Sequence, residues 1–210
     1  MSHESPELET TFGYLSAVHT TEHGYFGGYL IVSAAGRPLE FHCTAPVMPS
    51  RAQQILYGPT LRPYLIGEQI GGTLLRAAQL TPRVILTNQD AAAGLRAQGR
   101  VPIVLVLHAN IRPSETPELT SVDHNHCRAS SQLAIAADEG RSAWSHPFTV
   151  GSQQLRLPVG YEVEQEAIVA WLNVLIERVQ LSEPFERIHE AIREAQRIGA
   201  CDEDAHGQAA

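Results

Sequence analysis

The chain has 210 residues, 43% of them hydrophobic and 18% charged, and 23 acidic residues against 15 basic ones give a net charge of −8. That mixture excludes a disordered chain and is enough to bury a core of ordinary size. All 15 basic residues are arginine, so no lysine is present to form a Schiff base, shuttle a proton or bind a phosphate as an amine.

The arginines are scattered singly from Arg37 to Arg197, never as a run. With the negative balance this disfavours nucleic acid as a partner, because nonspecific affinity comes from clustered positive charge. The start, Met1 to Glu7, is polar and acidic, unlike the positive-then-apolar pattern of a signal peptide. No apolar stretch approaches the roughly 18 residues needed to cross a bilayer, so no membrane partner is expected. Cys43, Cys127 and Cys201 are widely spaced and odd in number, which fits reduced thiols. The expectation is a soluble, cytoplasmic protein.

Residues 1–10 read as a polar leader. Phe12 to Val18 is a short strand, Thr20 to Gly24 a turn, and Tyr25 to Ser33 a second strand rich in aromatic and β-branched residues. Gly36 closes a tight loop before Pro38 to Thr44, so the three runs predict an antiparallel meander. Ser50 is placed to cap a helix starting at Arg51, interrupted by Gly58-Pro59 and resumed near Arg62-Pro63 as far as Ala78. Gly67, Gly71 and Gly72 are costly in that helix and point to close packing or a bend. Val84 to Thr87, a small helix over Ala91 to Gln98, and the apolar run Val101 to Leu107 predict a parallel β-α-β crossover.

Residues 109–130 form a long polar connection, Gln132 to Ala137 a further strand, and Leu155 to Val159 another extended piece. Val163, Ala167, Trp171, Val174 and Leu175 recur at helical spacing across Glu162 to Val179. A second helix has Ser182 as its cap, Pro184 in its first turn, Phe185, Ile188 and Ile192 on one face, and Gly199 as its stop. The expected fold class is α/β with a mixed sheet: an N-terminal meander joined to a β-α-β crossover, with a C-terminal helical hairpin. The expected division is a leader 1–10, a core domain 11–160, the hairpin 161–199 and a frayed acidic tail 200–210.

This order is compatible with a ribonuclease-H-like core, in which an antiparallel hairpin edge adjoins a parallel centre. Such folds carry clustered carboxylates for divalent metal, and a nuclease of that type wants an acid inside its first strand. Phe12 to Val18 has none; the nearest acids are Glu22 in the turn, Glu40 in the third strand and Asp90 after the fourth.

His19-Thr-Thr-Glu22-His23 satisfies the inverted zinc-peptidase pattern, but that chemistry needs a helix to bring both imidazoles to one face. Here the segment lies between strands, which favours an exposed turn. His42 and Cys43 alternate across a strand, so His42 is badly placed to activate Cys43 as a nucleophile, and Cys43 reads as a buried small hydrophobe. Asp123-His124-Asn125-His126-Cys127 is the densest stretch: two imidazoles at i and i+2 and a soft thiolate. His108-Ala109-Asn110 ends the central strand and resembles the His-x-Asn of ubiquitin-conjugating enzymes, although Cys127 lies too far downstream and a crossover helix precedes the strand. Gly-rich pieces near Gly58 and Gly67 to Gly72 match no phosphate-binding pattern and read as helix packing. His189, beside Ile188 and Ile192, reads as a surface or boundary residue.

No constellation joins nucleophile, base and orienting group, so the sequence favours a non-catalytic binding or assembly protein with a protein partner or self-association. The alternative is a metal-dependent hydrolase. It would bind a divalent metal such as zinc through His124, His126 and Cys127 with His108, His19 or His23, with Glu22 or Asp123 as base.

Overall fold

The computed structural model describes residues 10–107 and 143–206, with side chains described as far as Arg197. The expected strand Gln132 to Ala137 lies outside them. Among the described residues seven strands form one mixed sheet in the order β3-β2-β1-β4-β5-β7-β6. They are β1 (Thr11–Thr20), β2 (Gly24–Ser33), β3 (Pro38–Cys43), β4 (Val84–Thr87), β5 (Ile103–Leu107), β6 (Phe148–Val150) and β7 (Gln153–Arg156). β1, β4 and β5 run parallel, and every other pairing is antiparallel. The α/β class, the meander and the β-α-β crossover are therefore as expected. β6 was not foreseen from the sequence.

Alternation along the strands sorts two cores onto opposite sheet faces. Phe12, Tyr14, Leu30, Val32, Leu86, Val104 and Val106 face one way, against α4 (Gln165–Ile176) and α5 (Glu183–His206). Leu15, Tyr29, Ile31, Ile85, Ile103 and Leu105 face the other, against Ile70, Leu74 and Leu95 from the connecting helices and Trp144.

Those connecting helices begin as predicted. Ser50 caps α1 (Arg51–Tyr57): its hydroxyl accepts the Gln53 N–H while the Gln53 side chain returns to the Ser50 N–H. After a 3₁₀ turn at Gly58–Thr60 the helix resumes over residues 61–77 (α2), and Tyr64–Gly71 within it is π-helical. The glycines here do mark close approach. A Cβ on Gly71 would lie 2.6 Å from Leu95 of α3 (Leu95–Gln98), and one on Gly67 would lie 3.1 Å from the Ala91 carbonyl.

In α4 the buried stripe is Ile168, Leu172 and Leu175, continued by Val179, and of the stripe read from the sequence only Leu175 belongs to it. Val163 is 90% exposed, Val174 is exposed, and Trp171 is half-buried with the Arg83 guanidinium 5.9 Å from its ring. In α5, Phe185, Ile188 and Ile192 are buried as expected, but the helix runs through Gly199 to His206.

A carboxylate ties β3 to the chain leaving α2. Glu40 accepts the backbone N–H groups of Gln79 at 2.7 Å and Leu80 at 2.9 Å, and its Oε1 lies 2.5 Å from His42 Nε2. Burial alone would raise its pKa. The His42 hydrogen bond and the two backbone donors outweigh that and hold the carboxyl below the usual glutamate range. A lowered folded pKa contributes stability above the unfolded pKa, and that contribution is lost as pH falls through the folded value. Glu40→Gln is therefore expected to unfold at lower urea than the parent at neutral pH. The gap should close as pH drops below the glutamate range, which paired urea titrations would measure; a pH-independent gap would contradict the linkage.

Candidate functional site

Ser16 interrupts the apolar run of β1 with a hydroxyl that is 0% exposed. It lies on the same face as Phe12 and Tyr14, toward α5. β1 and β4 are in register with Leu15 opposite Thr87, so the next pair out is Ser16 and Asn88, at the carboxyl end of β4. Ligand sites of open α/β sheets commonly lie at that end of the parallel strands. Ser16 Oγ is 2.8 Å from Asn88 Oδ1 and 2.8 Å from His189 Nε2, which reaches in from α5. Gln89 completes the group: its Nε2 is 3.1 Å from the Ala17 carbonyl oxygen and 3.0 Å from Asn88 Oδ1. Asn88, Gln89 and His189 are half-buried.

One backbone carbonyl sets every proton in this chain of contacts. The Ala17 oxygen only accepts, so Gln89 must turn its NH₂ toward it. The same NH₂ then meets Asn88, which must present Oδ1. Ser16, facing that oxygen, donates to it, and the Ser16 oxygen accepts from His189 Nε2–H. The serine proton is therefore committed to an amide oxygen and not to the imidazole. Together with its burial, this argues against Ser16 as a nucleophile activated by His189.

Next along the chain, Asp90 is exposed, pairs with Arg62 Nη1 at 3.3 Å and accepts the Ala91 N–H at 2.8 Å. The Asp90 carbonyl also accepts Trp144 Nε1–H at 2.7 Å, which pins the turn after β4 against the chain preceding β6. Gln89 N–H donates to Thr87 Oγ1 at 3.1 Å, fixing the start of the same turn.

The residues singled out from sequence are placed elsewhere. His19 is exposed near the end of β1, its ring 4.4 Å from that of Tyr25. Glu22 and His23 are exposed in the β1–β2 turn, where Thr20 Oγ1 accepts the His23 N–H at 3.2 Å, so the pattern is not presented on a helix. Cys43 is exposed, not buried as expected, and His42 points to the other face, toward Glu40. His108, Asp123, His124, His126 and Cys127 lie outside the described residues. Among the described residues no group of three or more His, Cys, Asp or Glu side chains is arranged to hold a metal ion, and no helix is long and apolar enough to cross a membrane.

Sequence reasoning missed Ser16 and Asn88 altogether, and read His189 as a surface or boundary residue without a role in a site. The available signal was slight: a lone polar residue inside an apolar strand and an Asn-Gln pair just past another.

A mixed sheet between two helical layers, with polar groups gathered at the carboxyl ends of its parallel strands, defines the class of fold. No protein-family model matches the chain, and no curated protein matches it by sequence. Solved structures that are similar to it include Endonuclease V from Ciona intestinalis in complex with a 24mer DNA containing an inosine followed by a ribo-adenosine. That match has 14% identity and a TM-score of 0.45, and covers 92% of this chain and 89% of the other. Human Endonuclease V matches at 16% identity and a TM-score of 0.42, covering 91% of this chain and 86% of the other. The catalytic domain of the human protein matches at 14% identity, with 92% and 85% covered and a TM-score of 0.42. Against these matches, all to a nucleic-acid-processing enzyme, the expectations of a non-catalytic assembly protein with a protein partner, and of nucleic acid as a disfavoured one, are corrected. The physical reason is that net charge is a property of the whole chain and does not describe one end of a sheet.

Proposed function

We propose that this protein acts on nucleic acid and engages an unpaired strand at the carboxyl ends of β1 and β4. The observation that carries this reading is the Ser16–Asn88–Gln89–His189 network, a concentrated set of hydrogen-bonding groups at the edge of an apolar sheet. A phosphate would call for arginines, and among the described residues none belongs to the network. Amide, hydroxyl and imidazole groups suit the edges of bases, which are read by hydrogen bonds and not by charge. The helical run on the other sheet face, joined to the turn after β4 by the Arg62–Asp90 pair, carries aromatic surface: Tyr57 and Tyr64 stack with ring centroids 4.4 Å apart. Unpaired bases are held by such faces. A cytoplasmic location, read from the widely spaced cysteines, belongs to the same proposal.

The test is fluorescence anisotropy of the full chain with labelled 24-nucleotide single strands and duplexes, with and without a central inosine. The same mixtures, incubated with magnesium or manganese, are run on denaturing gels for cleavage. Single strands are expected to bind more tightly than duplexes. The salt dependence should be shallow, because the described network holds no arginine to neutralise phosphates and release their counterions. Absence of binding to every strand up to about 100 µM protein, the weak end of nonspecific affinity, would sink the reading.

A further inference from the structure

The hydrogen-bond chain leaves two polar atoms unspent. Gln89 Nε2 and Asn88 Oδ1 are both used inside the protein, whereas Asn88 Nδ2 and Gln89 Oε1 have no partner among the described residues. These are a donor and an acceptor on two amide groups that touch each other, both half-buried at the carboxyl end of β4. Their order is not free. Turning Asn88 over would set its NH₂ against the NH₂ of Gln89, and turning Gln89 over would set its oxygen against the Ala17 carbonyl.

We infer that Asn88 and Gln89 are the specificity-determining pair of this site, and that they take a ligand edge carrying an acceptor next to a donor, the lactam or amidine edge of an unpaired nucleobase. This rests on the nucleic-acid reading above. Amide side chains bind base edges in this two-point manner, and in a duplex the pairing edge is occupied by the opposite base. Ser16 and His189 are positioning residues: they touch no base and hold the Asn88 oxygen inward so that its NH₂ faces out. Leaving one partner of such a pair unmatched is penalised more than a change of shape, so discrimination should follow hydrogen-bonding capacity and not size.

The deciding experiment compares two labelled single strands that differ at one central position, thymidine or its nonpolar difluorotoluene isostere, by anisotropy with the full chain. The parent protein is expected to bind the thymidine strand about tenfold more tightly. In Asn88→Asp the inward oxygen is kept for Ser16 and Gln89, and only the outward NH₂ becomes an oxygen. The ratio between the strands should fall to about 1, while far-UV circular dichroism and the melting midpoint stay near the parent's. A purely structural role for Asn88 would leave that ratio untouched in the variant, and this would overturn the inference. If Asn88→Asp does not fold, the parent's ratio decides alone: equal affinity for the two strands refutes base-edge reading while the nucleic-acid proposal stands. Failure to bind either strand refutes that proposal, and the inference falls with it.

Discussion

Phe185→Ala is expected to destabilise the protein by about 3–5 kcal/mol, the cost of deleting a large aromatic side chain from a packed core. Phe185 is 1% exposed in the first turns of α5 and meets Tyr14 of β1 edge to face, with ring centroids 5.3 Å apart and planes at 74°. It is thus part of what seats α5 on the sheet, four residues before His189. The Tyr14 hydroxyl has no hydrogen-bond partner among the described residues, and burial pushes its pKa well above the usual tyrosine value. A cavity beside it could admit water to that hydroxyl, so the loss should fall toward the lower end of the range. For a chain of this size the midpoint of thermal unfolding should drop by about 2–4 °C per kcal/mol. Scanning calorimetry would check it, and a loss below about 1 kcal/mol would mean that α5 does not depend on this contact. Because His189 is carried by the same helix, binding of single strands should weaken in the variant even at temperatures where it is fully folded.

The sequence made some elements legible because their signals are local. Ser50 with Gln53 three residues on is a cap and its reciprocal partner, and the helix starts there. Gly36 between two extended runs gave a turn, where its φ of 76° now requires glycine. The rotation of α4 was not legible. That helix is apolar on two faces, so the expected set Val163, Ala167, Trp171, Val174 and Leu175 and the buried set Ile168, Leu172 and Leu175 share only Leu175, and both fit a period near 3.6 residues. Only the sheet beneath chooses between them. The same holds for the site. Ser16 and His189 are 173 residues apart and touch only because α5 returns across β1. Asn88 is opposite Ser16 only because β4 pairs with β1 in one register. The metal and nucleophile patterns fall on His19 near the end of β1, Glu22 and His23 in the turn after it, and Cys43 on the edge strand β3, all of them exposed. A network of a serine, two amides and an imidazole from distant parts of the chain has no spacing to announce it.

Gly27 and Gly28 offer the sharpest test of how the two helical layers meet the sheet. They are consecutive on β2, so their missing side chains face opposite layers. A Cβ on Gly27 would lie 2.1 Å from Ile70 Cγ2 and 2.9 Å from Leu74 Cδ1, both in α2. A Cβ on Gly28 would lie 2.4 Å from Ile188 Cγ2 and 3.1 Å from Ile192 Cδ1, both in α5. All four side chains are among the most buried in the protein, so none can swing into solvent. Valine at either position must push a helix away from the sheet, at a cost of about 1–3 kcal/mol or more for overpacking. Urea unfolding should register a similar loss for Gly27→Val and Gly28→Val. Their effects on the site should differ. Ile188 precedes His189, so displacing it pulls the imidazole from Ser16, whereas displacing Ile70 leaves that hydrogen bond in place. Nitrogen-15 shifts of the histidine ring should therefore change in Gly28→Val and stay at parent values in Gly27→Val. Equal shifts in both variants would mean that the layers move as one body, and that the site is held by the whole sheet and not by the seat of α5.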